Sequence, residues 1–304
     1  MKSKFVMAIV SIATSASASQ AIAADVLNPG NGAPYALTSN SYTQDFNSLK
    51  SITSSPTPAD ALPDGWQTFE SGSAANGTYQ FGTSGSNTPG VWSFGLTSDR
   101  ALGGHASTSV PLIYIGALFE NGLGSTIDAL DISYTGEQWQ KGYNRATMRF
   151  QYSLDATDIN SGTWLSFGDL DFTAPNSVPY AGSQFGITQT NGNATAYRTS
   201  LNGVLSGLSI GAGSTFGIRW VFNDIDPAGV TSDDGLGVDD FRLTASTAAV
   251  PEPATWAMMI LGMAAVGLAM RSKKRPAAGH GRTRGAPGHL ARASVRISEG
   301  LLPG

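Results

Sequence analysis

Hydrophobic and polar positions alternate with a period of two along most of this chain. In the run Ala146–Leu154, the side chains of Met148, Phe150, Tyr152 and Leu154 fall on one side. Thr147, Arg149, Gln151 and Ser153 fall on the other. Phe216, Ile218, Trp220 and Phe222 alternate with Thr215, Gly217, Arg219 and Val221, and Leu130, Ile132 and Tyr134 share a face. Each run predicts a half-buried strand, one face in a core and one in water. Further strands are predicted over 42–48, 78–82, 90–95, 109–119, 163–171, 195–201, 204–210 and 236–244, separated by clusters of Gly, Ser, Asn and Thr. Long 3.6-period patterns and fixed-period repeats are missing from the body. About ten such strands predict an all-β fold, an antiparallel two-sheet sandwich of the jelly-roll, concanavalin-like kind.

The two ends break this pattern. Lys2 and Lys4 precede an apolar stretch from Phe5 to Ala16, and Ala21-Ile22-Ala23 forms a small-residue cleavage site. This is the three-part pattern of a secretory signal peptide, which implies the Sec export machinery. Near the other end, Ala254–Met270 is 17 residues without a charge, framed by Pro251-Glu252-Pro253 before it and Arg271, Lys273, Lys274 and Arg275 after it. At 1.5 Å per residue the run spans about 25 Å, short of the ~30 Å hydrocarbon core but within reach by local thinning. It predicts a short transmembrane helix that starts at Pro253, where a missing N–H costs nothing. Trp256 marks the outer interface, and the basic cluster stops transfer and stays inside. The domain boundaries follow: signal peptide 1–23, sandwich 24–249, C-terminal signal 250–275, and a Gly/Ala/Pro/Arg-rich tail 276–304 that reads as disordered.

Pro251-Glu252-Pro253, Trp256, the apolar run and the basic cluster together resemble the PEP-CTERM sorting signal of Gram-negative bacteria. The same segment is labelled in some classifications as the C-terminal domain of ice-binding proteins. The resemblance implies recognition and cleavage near Pro-Glu-Pro by an exosortase, and then release or attachment of the body at the cell surface. It also implies association with exopolysaccharide and biofilm. Such signals usually end soon after the basic cluster, whereas 29 residues follow Arg275 here. No regular Thr-rich repeat supports ice binding. In the body, the stretches at 45–49, 62–66, 99–104, 135–139, 152–156 and 233–241 resemble exported bacterial sandwich domains that accompany such signals. The group often has a basic residue where this chain has Gln140. The closing Gly237–Phe241 resembles the last strand of lectin-like jelly rolls.

Charge narrows the partners. Between Asp25 and Val250 there are 20 acidic and 8 basic residues, a formal net charge of −12, although the whole chain stands at −4. An acidic body excludes nucleic acid as a partner, because phosphate contacts need Lys and Arg. The absence of Cys removes thiol catalysis and thiolate metal sites. A body of this length buries enough surface to fold without disulfides. His105 is the only His in the body, so no His-metal cluster exists, and it is expected in a turn. No phosphate-binding loop or G-x-S-x-G elbow occurs.

Two constellations remain. Glu137 beside Trp139 has the form of a carboxyl raised by an apolar ring, as in a glycosidase general acid. Glycoside hydrolysis needs a second carboxylate about 5–9 Å away, and no tight motif names one. The alternative is that Glu137 caps a turn or pairs with Arg145 or Arg149 while Trp139 is core. Asp224, Asp226, Asp233, Asp234, Asp239 and Asp240 form an acidic stretch whose hard oxygens suit Ca²⁺, although the EF-hand spacing fails at Gly235. The alternative is a solvated loop whose carboxylates cap backbone N–H groups. Trp66, Trp92, Trp139, Trp164 and Trp220 are read as core rather than as sugar-stacking platforms. The expected function is a non-enzymatic, exported surface or matrix protein with glycan-binding capacity. The runner-up is a secreted carbohydrate-active hydrolase using Glu137.

Overall fold

The computed structural model describes residues 25–49, 62–83, 88–95, 98–142, 145–176, 187–224, 233–247 and 253–272. The signal-peptide region, Pro251, Glu252, Lys273–Arg275, the tail and Asp226 lie outside them.

Sixteen strands are described. β1 (Val26–Asn28), β2 (Tyr35–Leu37), β3 (Ser41–Gln44) and β4 (Trp66–Glu70) come first. β5 (Tyr79–Gly82), β6 (Gly90–Phe94), β7 (Ala101–His105) and β8 (Leu112–Asn121) follow. Then come β9 (Ile127–Lys141), β10 (Thr147–Ser153), β11 (Leu165–Ser166), β12 (Phe172–Thr173) and β13 (Thr188–Gln189). β14 (Arg198–Ile210), β15 (Thr215–Asn223) and β16 (Gly235–Thr247) complete the body.

They form two eight-stranded sheets. One runs β1-β4-β8-β15-β10-β11, with β12 on β10 and β2 on β8. The other runs β13-β9-β16-β7-β6-β5, with β14 on β9 and β3 on β16. The architecture is the expected two-sheet sandwich. Pairing is antiparallel except for β2–β8 and β5–β6, which are parallel.

The alternation pattern explains the core. Phe216, Ile218, Trp220 and Phe222 on β15 face Ile132 and Tyr134 on β9 and Leu236, Val238, Phe241 and Leu243 on β16 across one continuous apolar interior. At its centre Trp66 stacks on Trp220, with ring centroids 6.1 Å apart and 7° between planes. Phe241 meets both rings edge-on. The Trp66 indole N–H donates to the Tyr42 hydroxyl at 2.8 Å, so a buried polar group is satisfied. Aromatic side chains of this size each stabilise by roughly 2–3 kcal/mol on burial, and no disulfide is needed.

Several expectations change. Leu154 lies one residue beyond β10 and is 44% exposed, so it does not join Met148 and Phe150 in the core. The expected strand over 163–171 is a two-residue strand followed by a 3-10 turn, Gly168–Leu170. The two strands expected over 195–201 and 204–210 are one continuous strand, β14. His105 lies in β7 rather than a turn and is buried. Thr135–Trp139 continues β9 instead of following a strand.

The C-terminal unit, Val250–Gly304, is distinct from the unit that holds the sandwich. Its described part is one helix, α1 (Pro253–Ser272), starting at the expected proline. Trp256 and the apolar residues after it are exposed. The expected transmembrane character is not borne out: among the described residues no helix is long and apolar enough to cross a membrane.

Candidate functional site

The outer face of the second sheet carries the candidate site. On β9 the inward positions are Ile132, Tyr134 and Gly136, so Glu137 and Trp139 point outward, yet both are only 1% exposed. Their cover is aromatic. Trp92 and Phe94 on β6 stack at 5.7 Å, and Phe94 stacks on Trp139 at 6.1 Å, with planes within 5° in each case. Gly237 of β16 lies under this row, and a Cβ there would stand 3.3 Å from the Phe94 ring. From the other side, Gly192 approaches so closely that a Cβ would lie 2.4 Å from the Trp139 indole. The Thr190 N–H and hydroxyl bind the carbonyls of Trp139 and Gln138 and pin this segment down.

Glu137 is therefore neither a turn cap nor a partner of Arg145 or Arg149. Its Oε2 accepts the Trp139 indole N–H at 2.9 Å. Arg198 stands opposite it on β14. Burial pushes the Glu137 carboxyl up to about 7, against the indole and Arg198, with Asp99 and Asp240 adding to the rise. The second carboxyl that no motif names is Asp239 on the neighbouring strand, 3% exposed. Burial and the nearby Glu137, Asp240 and Asp99 charges push it up to about 8, opposed by the Asp240 N–H that its Oδ1 accepts at 2.7 Å. Strand register brings the two acids together: Gly237 pairs with Glu137 and Asp239 with Thr135. Burial thus raises both carboxyls on adjacent strands into the neutral range. Both are at most 3% exposed and the Trp139 indole engages Glu137, so neither presents a carboxyl to a substrate, as a general acid must.

Of the acidic stretch, Asp226 lies outside the described residues. Among the described residues no three of His, Asp or Glu are placed to hold a metal ion. Asp234 is occupied by the protein itself. Its Oδ1 accepts the Gly142 N–H at 2.7 Å and the Gln138 amide at 3.1 Å, and its Oδ2 accepts the Ala146 N–H at 3.0 Å. Burial nevertheless pushes it up to about 6. Asp239 is buried, and Asp240 is exposed. Asp234 and Asp239 thus cap backbone N–H groups, the alternative that the sequence offered. Burial likewise pushes His105 down to about 4, against the Thr88 backbone and Asp224, so it is neutral at pH 7.

Four of the five tryptophans behave as core, and Trp164 does not. Trp66, Trp92, Trp139 and Trp220 are at most 5% exposed. Trp164 is half-buried on the outer face of the first sheet. There the Arg219 guanidinium lies between its ring at 4.2 Å and the Tyr114 ring at 3.9 Å.

An open cleft of about 380 Å³ was not anticipated by sequence reasoning. It is lined by Thr43, Gln44, Asp45, Ser133, Asp240, Phe241 and Arg242. It opens where β16 changes neighbour: Leu236–Val238 pair with β7, and Phe241–Thr244 pair with β3. A β-bulge marks the same place, since Asp239 pairs with Thr135 and Arg242 with Ser133, one extra residue on β16. The weak signal for it in the sequence was Arg242, one of 8 basic residues in the body, beside Asp239-Asp240.

Residues 249–275 match the family described as the PEP-CTERM protein-sorting motif. The motif covers Pro251, Glu252, Pro253, Trp256 and the basic cluster. No curated protein matches the chain. Among solved structures, the K1 cleaved adhesin domain of Lys-gingipain from Porphyromonas gingivalis is similar at 11% identity, covering 68% of this chain and 99% of that one, with a TM-score of 0.38. The CBM22-2 xylan-binding domain of Xyn10C from Paenibacillus barcinonensis is similar at 12% identity, over 67% and 99%, with a TM-score of 0.33. A CBM61 module in complex with β-1,4-galactotriose is similar at 9% identity, over 49% and 72%, with a TM-score of 0.27.

Proposed function

We propose that this chain is an exported surface or matrix protein whose sandwich is delivered by its C-terminal sorting motif, and that it binds glycan without transforming it. The sorting motif, matched over residues 249–275 beside a separately folded body, carries the reading. The motif implies processing by an exosortase. Cleavage near Pro251-Glu252-Pro253 leaves β16 intact, because that strand ends at Thr247. In this account Arg271, Lys273, Lys274 and Arg275 hold the chain on the inner membrane only until the cut. The body then belongs to the exopolysaccharide and biofilm setting of such proteins.

The non-enzymatic part rests on the carboxyl pair. Glu137 and Asp239 have the raised proton affinities of a catalytic pair, but both are buried and the Trp139 indole engages Glu137. The glycan-binding part rests on the outer sheet face, where Thr43, Arg242, Ser133 and Asn202 stand in register across four strands. Such a row offers hydroxyl, amide and guanidinium groups to a polyol. The test is to express the chain with and without residues 250–275 in an exosortase-bearing Gram-negative host and to fractionate the cells. Loss of surface or medium localisation on deletion is expected, and unchanged localisation overturns the reading. Sugar released from polysaccharide by the purified protein, and abolished by Glu137→Gln, overturns its non-enzymatic part.

A further inference from the structure

The bulge cleft has the makings of a ligand site. Three features of the backbone build it. First, β7 ends its pairing with β16 at Val238, and β3 begins at Phe241, so Asp239 and Asp240 have no strand beside them on that edge. Second, the bulge turns Asp240 into the left-handed region, φ 49°, with its N–H held by Asp239. Third, Phe46 at the far end of β3 is also left-handed, φ 54°, with its N–H held by Gln44 Oε1 at 2.9 Å. Among the described residues these are the two non-glycine positions with positive φ; Asp240 lines this cleft, and Phe46 directly follows Asp45, which does. Side chains adopt that conformation at a cost of order 1–3 kcal/mol, which surrounding structure must hold in place.

The lining is polar and unoccupied by internal contacts where it matters. Among the described residues, no hydrogen bond or ion pair within the chain engages the Asp240 carboxylate or the Arg242 guanidinium. Both side chains are exposed. Thr43 and Ser133 add hydroxyls, and Asp45 adds a carboxylate of which one oxygen accepts the Asn47 N–H. Phe241 lends only its backbone, because its ring is buried between Trp66 and Trp220. The cleft therefore has no aromatic platform. It holds two carboxylates against one guanidinium on a body of net charge −12, which disfavours anionic ligands.

We infer that this cleft is the glycan subsite of the protein, and that it takes a neutral sugar whose adjacent hydroxyls bridge the Asp240 carboxylate and the Arg242 guanidinium. The inference rests on the glycan-binding reading above and names where that binding occurs. A vicinal diol supplies both a donor to the carboxylate and an acceptor to the guanidinium, and charge-assisted hydrogen bonds of this kind are the strong ones. Thr43 and Ser133 on the flanking strands reach further hydroxyls. Without ring stacking, orientation and specificity rest on these polar groups.

The test is saturation-transfer NMR on the full chain in detergent, which does not depend on export or cleavage. The probes are cellobiose, lactose, mannobiose and xylobiose, with tetragalacturonate as the anionic comparator. Asp240→Asn and Arg242→Ala are the variants, because Asn tolerates the left-handed backbone and Arg242 is exposed, and circular dichroism checks their folding. The expected result is transfer to at least one neutral disaccharide, weakened tenfold or more by each variant, and none to tetragalacturonate. Binding that survives both variants overturns the cleft while leaving glycan binding standing. No transfer to any neutral probe overturns both. Preference for tetragalacturonate overturns the assignment of a neutral ligand.

Discussion

Glu137 shows how far a single residue could be read in advance. Its neighbour Trp139 correctly announced an apolar setting that raises a carboxyl, and the structure pushes Glu137 to about 7. What adjacency could not announce was the cover, because Phe94 and Gly192 arrive from strands and loops remote in sequence. Nor could it supply Asp239, whose proximity depends on strand register. The sign of the pH effect follows from these shifts. Glu137 and Asp239, facing Asp99, Asp240 and Arg198, hold protons more tightly folded than unfolded. Their stabilising contribution is complete below about pH 4 and is lost as pH rises through 7 to 8. Glu137→Gln keeps an acceptor for the indole N–H and removes the buried charge. Thermal or urea unfolding should show the variant more stable than the parent at pH 9, by on the order of 2–3 kcal/mol, and similar to it at pH 4. A parent curve flat between pH 4 and 9 contradicts this. Gly192→Ala places a methyl group against the Trp139 indole, and a loss of about 1–3 kcal/mol is expected in the same measurement.

Among the elements, period-two alternation was a good guide wherever one face is buried and the other wet. β15 and β10 lie where Trp220 and Phe150 placed them. It failed where a strand is covered on both faces. Trp66–Glu70 and Ala101–His105 are buried throughout, so neither shows alternation, and both were missed. It failed again at irregularities, since the extra residue in β16 is invisible until register is known. That irregularity is testable. A β-branched side chain resists left-handed backbone far more than Asp does, so Asp240→Val should cost about 1–2 kcal/mol whereas Asp240→Gly should cost little. Equal losses for the two would mean that φ at this position is not what the bulge requires. The carboxylate of Asp234 serves a comparable purpose beside β9 and β10. Asp234→Ala leaves the Gly142 and Ala146 N–H groups without their acceptor, and a loss of about 2–4 kcal/mol in chemical unfolding is expected.

At the scale of the whole molecule, the readable parts were the ends, and the less readable part was the surface between them. Pro253, Trp256 and the basic residues after Met270 announced a sorting motif through a linear pattern, and residues 249–275 match one. Helix α1 begins where Pro253 put it. The outer sheet face was unreadable because a polar cleft built from β3, β9 and β16 has no linear signature. Residues 43, 133 and 242 meet only through pairing. The acidic body and the basic C-terminal segment also belong to this scale, since severing one from the other changes the product's net charge. The most direct measurement is the intact mass of the protein recovered from the cell surface or medium of an exosortase-bearing host. A mass that ends close to Pro251-Glu252-Pro253 and lacks the arginines and lysines of 271–275 is predicted. Recovered protein that still carries those basic residues would contradict the account.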